Sequence, residues 1–238
     1  MKDINQFNSG LTLLKLSIVI PVVNEAGLIS PQLEELQSLR ASDHEIIVVD
    51  GGSQDGTASL AEPLADHVLL CKPGRGAQMN AGAEIATGDI LVFLHIDTRL
   101  PQNALAELQR QCSLPGFLWG RFDVKFTGSS SLLGLIAMMM NLRSHVTGVA
   151  TGDQAIFIER LEFLRCGGFS PLPLMEDIEM SKRLRRNSWP RRIRSHVIVS
   201  SRRWERDGLI KTIVLMWWLR FLYVCGVSTN KLSKIYYK

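Results

Sequence analysis

Apolar residues in this chain come in short blocks, each closed by a polar or turn-forming cluster. Residues 16–21, 45–50, 67–71 and 90–94 are four such blocks. Near-continuous apolar runs of this length predict strands buried on both faces. Between the blocks the period lengthens. Ser30, then Pro31, with Leu33, Leu36 and Leu39 behind them, predicts a helix capped by Ser30 and carrying Pro31 at its first position. Gly51 to Thr57 reads as a turn leading into a short helix. Gly74-Arg75-Gly76 opens a helix to about Ala86, with Gly88 as its stop. Four strands alternating with three helices in the first hundred residues predict an α/β fold: a doubly wound, mostly parallel sheet with right-handed crossovers.

Beyond Pro101 the alternation weakens. Leu105 and Leu108 sit on another helix, and residues 119–126 alternate at period two like a half-exposed strand. Ser129 to Ser131 form a polar link into an apolar helix over 132–142. Its Met138, Met139 and Met140 read as core filler, a pliable acceptor pocket being the alternative. Residues 155–158 make a short strand, 160–166 a helix broken by Gly167-Gly168, and Glu176 opens a helix ending near Asn187. Arg191, Arg192 and Arg194 precede a strand around 197–199.

Composition is that of a globular protein long enough to bury a sizeable core. Cys71, Cys112, Cys166 and Cys225 are scattered without a C-x-x-C pair, which argues against a zinc site or a disulfide framework. The N-terminus shows no secretory pattern, so a cytoplasmic protein is expected. The net charge of +4 hides an asymmetry. Residues 1–177 carry 12 Lys and Arg against 20 Asp and Glu (−8), and residues 178–238 carry 15 against 3 (+12). The basic third calls for anionic company: on charge alone a phosphate-bearing substrate, an anionic membrane or nucleic acid would satisfy it.

Candidate chemistry sits where the strands stop, since in an open α/β sheet ligands bind outside the carboxyl ends of the strands. Asn24 and Glu25 follow the first strand, Asp50, Ser53 and Asp55 the second, and His95 and Asp97 the fourth. Spaced by two, His95 and Asp97 project from one side of an extended backbone, which suits a shared metal or a phosphate-bound cation. Each feature alone has a plain alternative. Asp55-Gly56 serves as a turn and helix cap, and Gly74-x-Gly76 permits a sharp helix entry. Glu176, Asp177 and Glu179 in a helix's first turn, with Arg183, Arg185 and Arg186 in its last, also suit the helix dipole.

Taken in order, residues 20–25, 49–57 and 74–82, His95-Ile96-Asp97 and Glu176-Asp177 make the chain resemble the glycosyltransferases of family 2, inverting enzymes of the GT-A fold that use nucleotide-diphosphate sugars. The resemblance spans most of 16–187. It implies a GT-A, nucleotide-diphospho-sugar-transferase-like mixed sheet flanked by helices, and a nucleotide-diphosphate sugar as donor. It also implies that Pro21, Asn24, Glu25, Asp50, Gly51 and Ser53 frame the nucleoside, Asp50 accepting from the base. Arg75 and Asn80 would lie along the nucleotide groove, with His95 and Ile96 bordering the donor. Asp97 resembles the metal-binding end of the family's D-x-D motif, which implies a divalent cation, Mn2+ or Mg2+. A diphosphate leaving group gains negative charge as the glycosidic bond breaks, and a cation held by one carboxylate and the phosphate oxygens stabilises it. His95 stands where the family usually has aspartate; a histidine can ligate manganese or reach the ribose. Glu176-Asp177 resembles the family's E-D pair, whose aspartate is the general base that deprotonates the acceptor hydroxyl. Arg121, Asp153 and Gln154 are candidates for acceptor or diphosphate, an exposed strand arginine being the alternative for Arg121. Ser201 to Trp204 is reminiscent of the R-W signature of processive relatives, without its glutamines. It adds Arg203 and Trp204 as candidates, a solvated basic face being the alternative.

From Leu209 to Val227 the chain is strongly apolar. A membrane span is disfavoured, because Arg220 within it costs about 2.5–3.5 kcal/mol. Packing on the domain, dipping into a bilayer surface and mediating a homodimer are the placements left, and Lys231, Lys234 and Lys238 favour anionic lipid. The expected organisation is a lead (1–15), a GT-A domain (16–208, nucleotide-binding to 100 and acceptor-binding from 101) and an apolar, basic C-terminal helix and tail (209–238). The tail would sit peripherally at the inner face of a membrane. The expected function is metal-assisted, inverting transfer of a sugar to an acceptor hydroxyl that the sequence does not name, a lipid-linked one included. One rival is a nucleotidyltransferase, which would want a glycine-rich loop where Pro21 to Glu25 stand. Another is a catalytically silent nucleotide-sugar or lipid-binding protein. Nucleic acid is not an expected partner, for want of a recognisable module.

Overall fold

The computed structural model describes residues 14–236. Strands β1 (Leu16–Val22), β2 (Glu45–Asp50), β3 (His67–Leu70) and β4 (Ile90–Phe93) pair in parallel in the order β3-β2-β1-β4. β5 (Thr98–Arg99), β6 (Trp119–Phe126), β7 (Phe157–Glu159) and β8 (Arg191–Val199) extend the sheet as β4-β7-β6-β8-β5. In this second part only β6 and β8 run parallel. The first half carries helices α1 (Ala26–Glu35), α2 (Gln37–Arg40), α3 (Thr57–Ala61) and α4 (Arg75–Ile85). After them come α5 (Ala104–Cys112), α6 (Ser131–Thr147), α7 (Arg160–Arg165) and α8 (Glu176–Leu184), then α9 (Arg202–Asp207), α10 (Leu209–Val224) and α11 (Thr229–Tyr236). The expected α/β sheet with helices on both faces is present.

Strand periodicity divides the apolar residues between two cores. Ile18, Ile20, Ile46 and Val48 face one, closed by α1, α5 and α6. Val19, Ile47 and Val49 face the other, closed by α4, α7 and α8. Gly82 lets α4 lie on the sheet: a Cβ there would stand 2.5 Å from Val19 Cγ1 and 3.0 Å from Val49 Cγ2. A third, smaller core of Val149, Met175, Ile178, Leu219 and Leu232 seats α10 and α11 against the start of α8.

Several local expectations fail for identifiable reasons. α1 starts at Ala26 rather than after Ser30, and Pro31 lies inside it. Its start is set by the neighbouring loop, where Thr57 Oγ1 accepts from the Glu25 N–H at 2.9 Å and Asp55 Oδ2 from the Ala26 N–H at 3.0 Å. A cap supplied from another segment satisfies the orphan N–H groups as well as a local one, and leaves no local sequence signal. β6 is buried at every position but Lys125 rather than half-exposed. α6 packs on it, Asn141 bonding Val124 N–H and C=O at 2.9 and 3.0 Å, and β8 pairs along its edge. Arg191, Arg192 and Arg194 lie within β8, not ahead of it. α6 continues to Thr147 and leaves Met138 and Met139 exposed, so these two are not core filler. α4 ends in an extended Ala86, and Gly88 packs against Ser17 instead of stopping the helix. Among the described residues no helix is long and apolar enough to cross a membrane. Residues 1–13 of the lead and Lys238 of the tail lie outside the described residues.

Candidate active site

The loops after β1 and β2 are tied into one rim. Asp50 Oδ1 accepts from the Gly52 and Ser53 N–H groups at 2.7 and 2.6 Å. Ser53 Oγ accepts from the Asn24 N–H at 2.8 Å, and Asn24 Oδ1 accepts from the Gln54 N–H at 2.9 Å. From α4 below, Gln78 Nε2 donates to both Val22 O and Val49 O at 2.8 Å. Gly51 is closely packed: a Cβ there would lie 2.7 Å from Val23 Cγ2 and 3.2 Å from the Gln78 amide. These bonds hold open a cavity of about 380 Å³ lined by Pro21, Glu25, Arg75, His95, Ile96 and Asp97, among others. Burial raises the Glu25 carboxyl; Arg202, at 3.8 Å, opposes this, while Asp97 and Asp55 add to it.

A second cavity, about 150 Å³, shares Arg75, His95, Asp97 and Glu176 with the first and adds Asp153 and Asp177. Glu176 and Asp177 begin α8, directly after Met175 at φ 70°. Asp177 Oδ2 accepts from the Gly152 N–H at 2.9 Å. Next to it, His95 Nδ1 lies 3.4 Å from Asp153 Oδ1. Burial alone would raise Asp153; the bond to and charge of His95, with Arg75 and Arg220 further off, hold it below its usual value. Glu176 moves the other way, up to about 6, through burial first and the charge of Asp177 second.

Not every residue expected at the site reaches it. Asn80, expected along the nucleotide groove, clamps the loop after α7: its Nδ2 donates to Phe169 O and its Oδ1 accepts from the Phe169 N–H, both at 2.8 Å. Arg121 is neither exposed nor at the cavity. It is buried in an ion pair with Asp123, which Arg192 also grips at 2.7 Å. Gln154 is buried too and caps its own turn, its Oε1 accepting from the Thr151 N–H at 3.1 Å. Asn24, Asp50, Gly51 and Ser53 build the rim rather than line the cavity. Asp153 and Trp204 do line the second cavity, and the Trp204 ring packs edge-on against Phe126 at 5.4 Å. The Arg203 side chain lies outside the described residues. Sequence reasoning missed the contribution of α10. Thr212, Met216 and Arg220, each four residues apart, line the second cavity, and helical spacing back from Arg220, the charge in the middle of that apolar run, was the available signal.

Residues 17–158 match the glycosyl transferase family 2. Over 95 residues the chain is 38% identical to glycosyltransferase AglE of Haloferax volcanii, covering 36% of this chain and 31% of AglE. Over 107 residues it is 30% identical to the GalNAc(5)-diNAcBac-PP-undecaprenol beta-1,3-glucosyltransferase of Campylobacter jejuni, covering 42% and 35%. Among solved structures, S. aureus TarS 1–349 superposes with a TM-score of 0.65 at 17% identity, over 79% of this chain and 61% of that one. The mannosyltransferase PcManGT from Pyrobaculum calidifontis, in complex with GDP-Man and Mn2+, gives 0.59 at 20% identity, over 79% and 56%. The fold is therefore that of the GT-A glycosyltransferases, and the chain belongs to glycosyl transferase family 2. It spans about a third of the length of the curated relatives it matches.

Proposed function

We propose that this chain transfers a sugar from a nucleotide-diphosphate sugar to an acceptor hydroxyl with inversion, Asp177 acting as general base and a divalent cation at Asp97 assisting departure of the nucleoside diphosphate. The observation that carries this reading is the convergence of Arg75, Asp97, Glu176 and Asp177 on adjoining cavities at the carboxyl ends of β1 and β4. On the donor side, Asp50 Oδ2 lies behind the rim, buried with no partner among the described residues, and would accept a hydrogen bond from a nucleotide base seated against the rim rather than within the cavity. Arg75 supplies positive charge where a diphosphate would lie. Among the described residues no group of three His, Cys, Asp or Glu could hold a metal by itself. A partly exposed Asp97 fits a cation that takes most of its ligands from diphosphate oxygens and water. When bound, that cation would neutralise charge developing on the leaving diphosphate. Asp177, oriented by the Gly152 N–H, would take the proton of the attacking hydroxyl. His95, engaged by Asp153, would border the donor rather than serve as a second metal ligand.

The test is thermal stabilisation of the full chain by UDP-, GDP- and dTDP-sugars with Mn2+ or Mg2+, for wild type and Asp97→Ala. One nucleotide should stabilise the wild type in a metal-dependent way, by about 2.7 kcal/mol at a hundredfold excess over its Kd, and Asp97→Ala should lose that increment. Absence of a shift with every donor under both metals overturns the reading.

A further inference from the structure

A third depression, about 240 Å³, opens between α6 and α10. Its walls are apolar: Leu135, Ile136 and Met139 come from α6, and Ile213, Met216 and Trp217 from α10. Its floor is charged. Arg143 and Arg220 enter it from the two helices, with Asp153 beside them. Asp153, Trp204, Met216 and Arg220 also line the cavity that holds Asp177, so this groove leads into the reaction site.

The two guanidinium groups lack the carboxylate partner that the buried Arg121 has in Asp123. Arg121 and Arg192 close on Asp123. Arg143 has only a 3.3 Å bond from Nη1 to Val149 O, while its Nε and Nη2 are buried with no partner among the described residues. Neither Arg143 nor Arg220 forms an ion pair among the described residues. Burial, then the like charge of Arg220, pulls Arg143 down to about 10, with Asp177 and Asp153 partly opposing. It is still a cation at neutral pH. A buried charge without a partner is costly, and two that share one space call for an anion. Of the lining residues, Leu132, Leu135, Met139 and Trp217 are exposed, an apolar surface that water does not favour.

We infer that this groove is the acceptor site and that the acceptor is a lipid, its aliphatic chain between α6 and α10, its anionic group on Arg143 and Arg220, and its attacking hydroxyl carried onward to Asp177. The inference rests on the transferase reading. In the step itself the hydroxyl oxygen bonds to the anomeric carbon and the bond from that carbon to the diphosphate oxygen breaks. The nucleoside diphosphate leaves with that electron pair, and the hydroxyl proton passes to Asp177. An ionised phosphate oxygen would need no base, which is why the anionic group and the nucleophile are separate. A soluble phosphorylated alcohol offers the same anion and hydroxyl, but leaves the apolar walls uncovered.

Tryptophan fluorescence of the full chain, with Trp204 and Trp217 at the groove, tests this using dodecyl phosphate, dodecyl maltoside and glycerol phosphate below micelle-forming concentrations. Dodecyl phosphate should bind at least about tenfold more tightly than either of the others, roughly 1.4 kcal/mol. Arg143→Gln and Arg220→Gln should reduce it to the dodecyl maltoside level, Arg143→Lys should keep most of the preference, and Met139→Glu should weaken both dodecyl probes. Equal binding of the two dodecyl probes, or an unchanged preference in Arg143→Gln, overturns the anion site. Glycerol phosphate binding as tightly as dodecyl phosphate overturns the lipid. Melting temperatures of the variants establish folding. Nucleotide-sugar thermal shifts on the same samples separate the two readings: donor stabilisation kept in variants that lose dodecyl phosphate places the loss in the groove, whereas a wild type that binds no donor removes the transferase reading instead.

Discussion

The loops after β1 and β2 and the helices around the groove are held by opposite means. Asp50, Ser53, Asn24, Asp55 and Thr57 bond one another's backbones until the rim has little freedom left. α6 and α10, by contrast, turn apolar side chains to solvent and leave Arg143 short of partners. The first region is finished before any ligand arrives, so a ligand there meets little ordering cost. The second is completed by what binds it. Rigid recognition of a constant group and adaptable recognition of a variable one require these two kinds of construction.

The strongest challenge to this division is at the junction between them. Asp177→Asn keeps the shape of the side chain and should lower turnover by about 10²–10⁴, while donor-induced stabilisation persists; a parallel loss of donor binding would mean that Asp177 belongs to the rim. Next comes stability of the finished region. Gly82→Ala drives a methyl into Val19 and Val49 and should cost about 1–3 kcal/mol in urea unfolding. Glu176→Gln probes the pH response. With its carboxyl raised from 4.5 to about 6, the folded state holds a proton that the unfolded chain has lost, so Glu176 contributes less stability as pH rises from 4.5 to 6, and the loss is complete above. The glutamine variant should therefore gain on the order of 2 kcal/mol over wild type at pH 8 relative to pH 4, read from melting curves at both values. The smallest effect belongs to the open region: Val146→Ser, at a position 65% exposed, should change stability by less than about 0.5 kcal/mol. A cost equal to that of Gly82→Ala would erase the contrast.

What could be read from the chain divides along the same line. β2 was legible to the residue, Glu45 to Asp50, because a buried strand needs only local apolar continuity. The start of α1 was not, because its caps, Asp55 and Thr57, arrive from about thirty residues away. His95 and Asp97 showed themselves as a polar interruption after β4, but the meeting of His95 with Asp153 depends on β7 pairing antiparallel with β4, which no spacing records. Arg121 looked like a surface arginine because alternation marks which side a residue faces, not whether a helix covers that side. Arg143 carried no motif at all. Its importance comes from the neighbours it lacks.

Gly152 stands where the two regions touch. Its N–H holds Asp177, and any Cβ on it would collide with the His95 ring. The separation between the end of β4 and the start of α8 is thus gauged by a single hydrogen atom. Sequence drift can reshape α6 and α10 for a new acceptor, or the β2 loop for a new base, without disturbing that gauge. Drift at Gly152 moves both faces of the reaction apart at once, so this position would tolerate less change than the side chains on α6, α10 or the β2 loop by which a substrate is chosen.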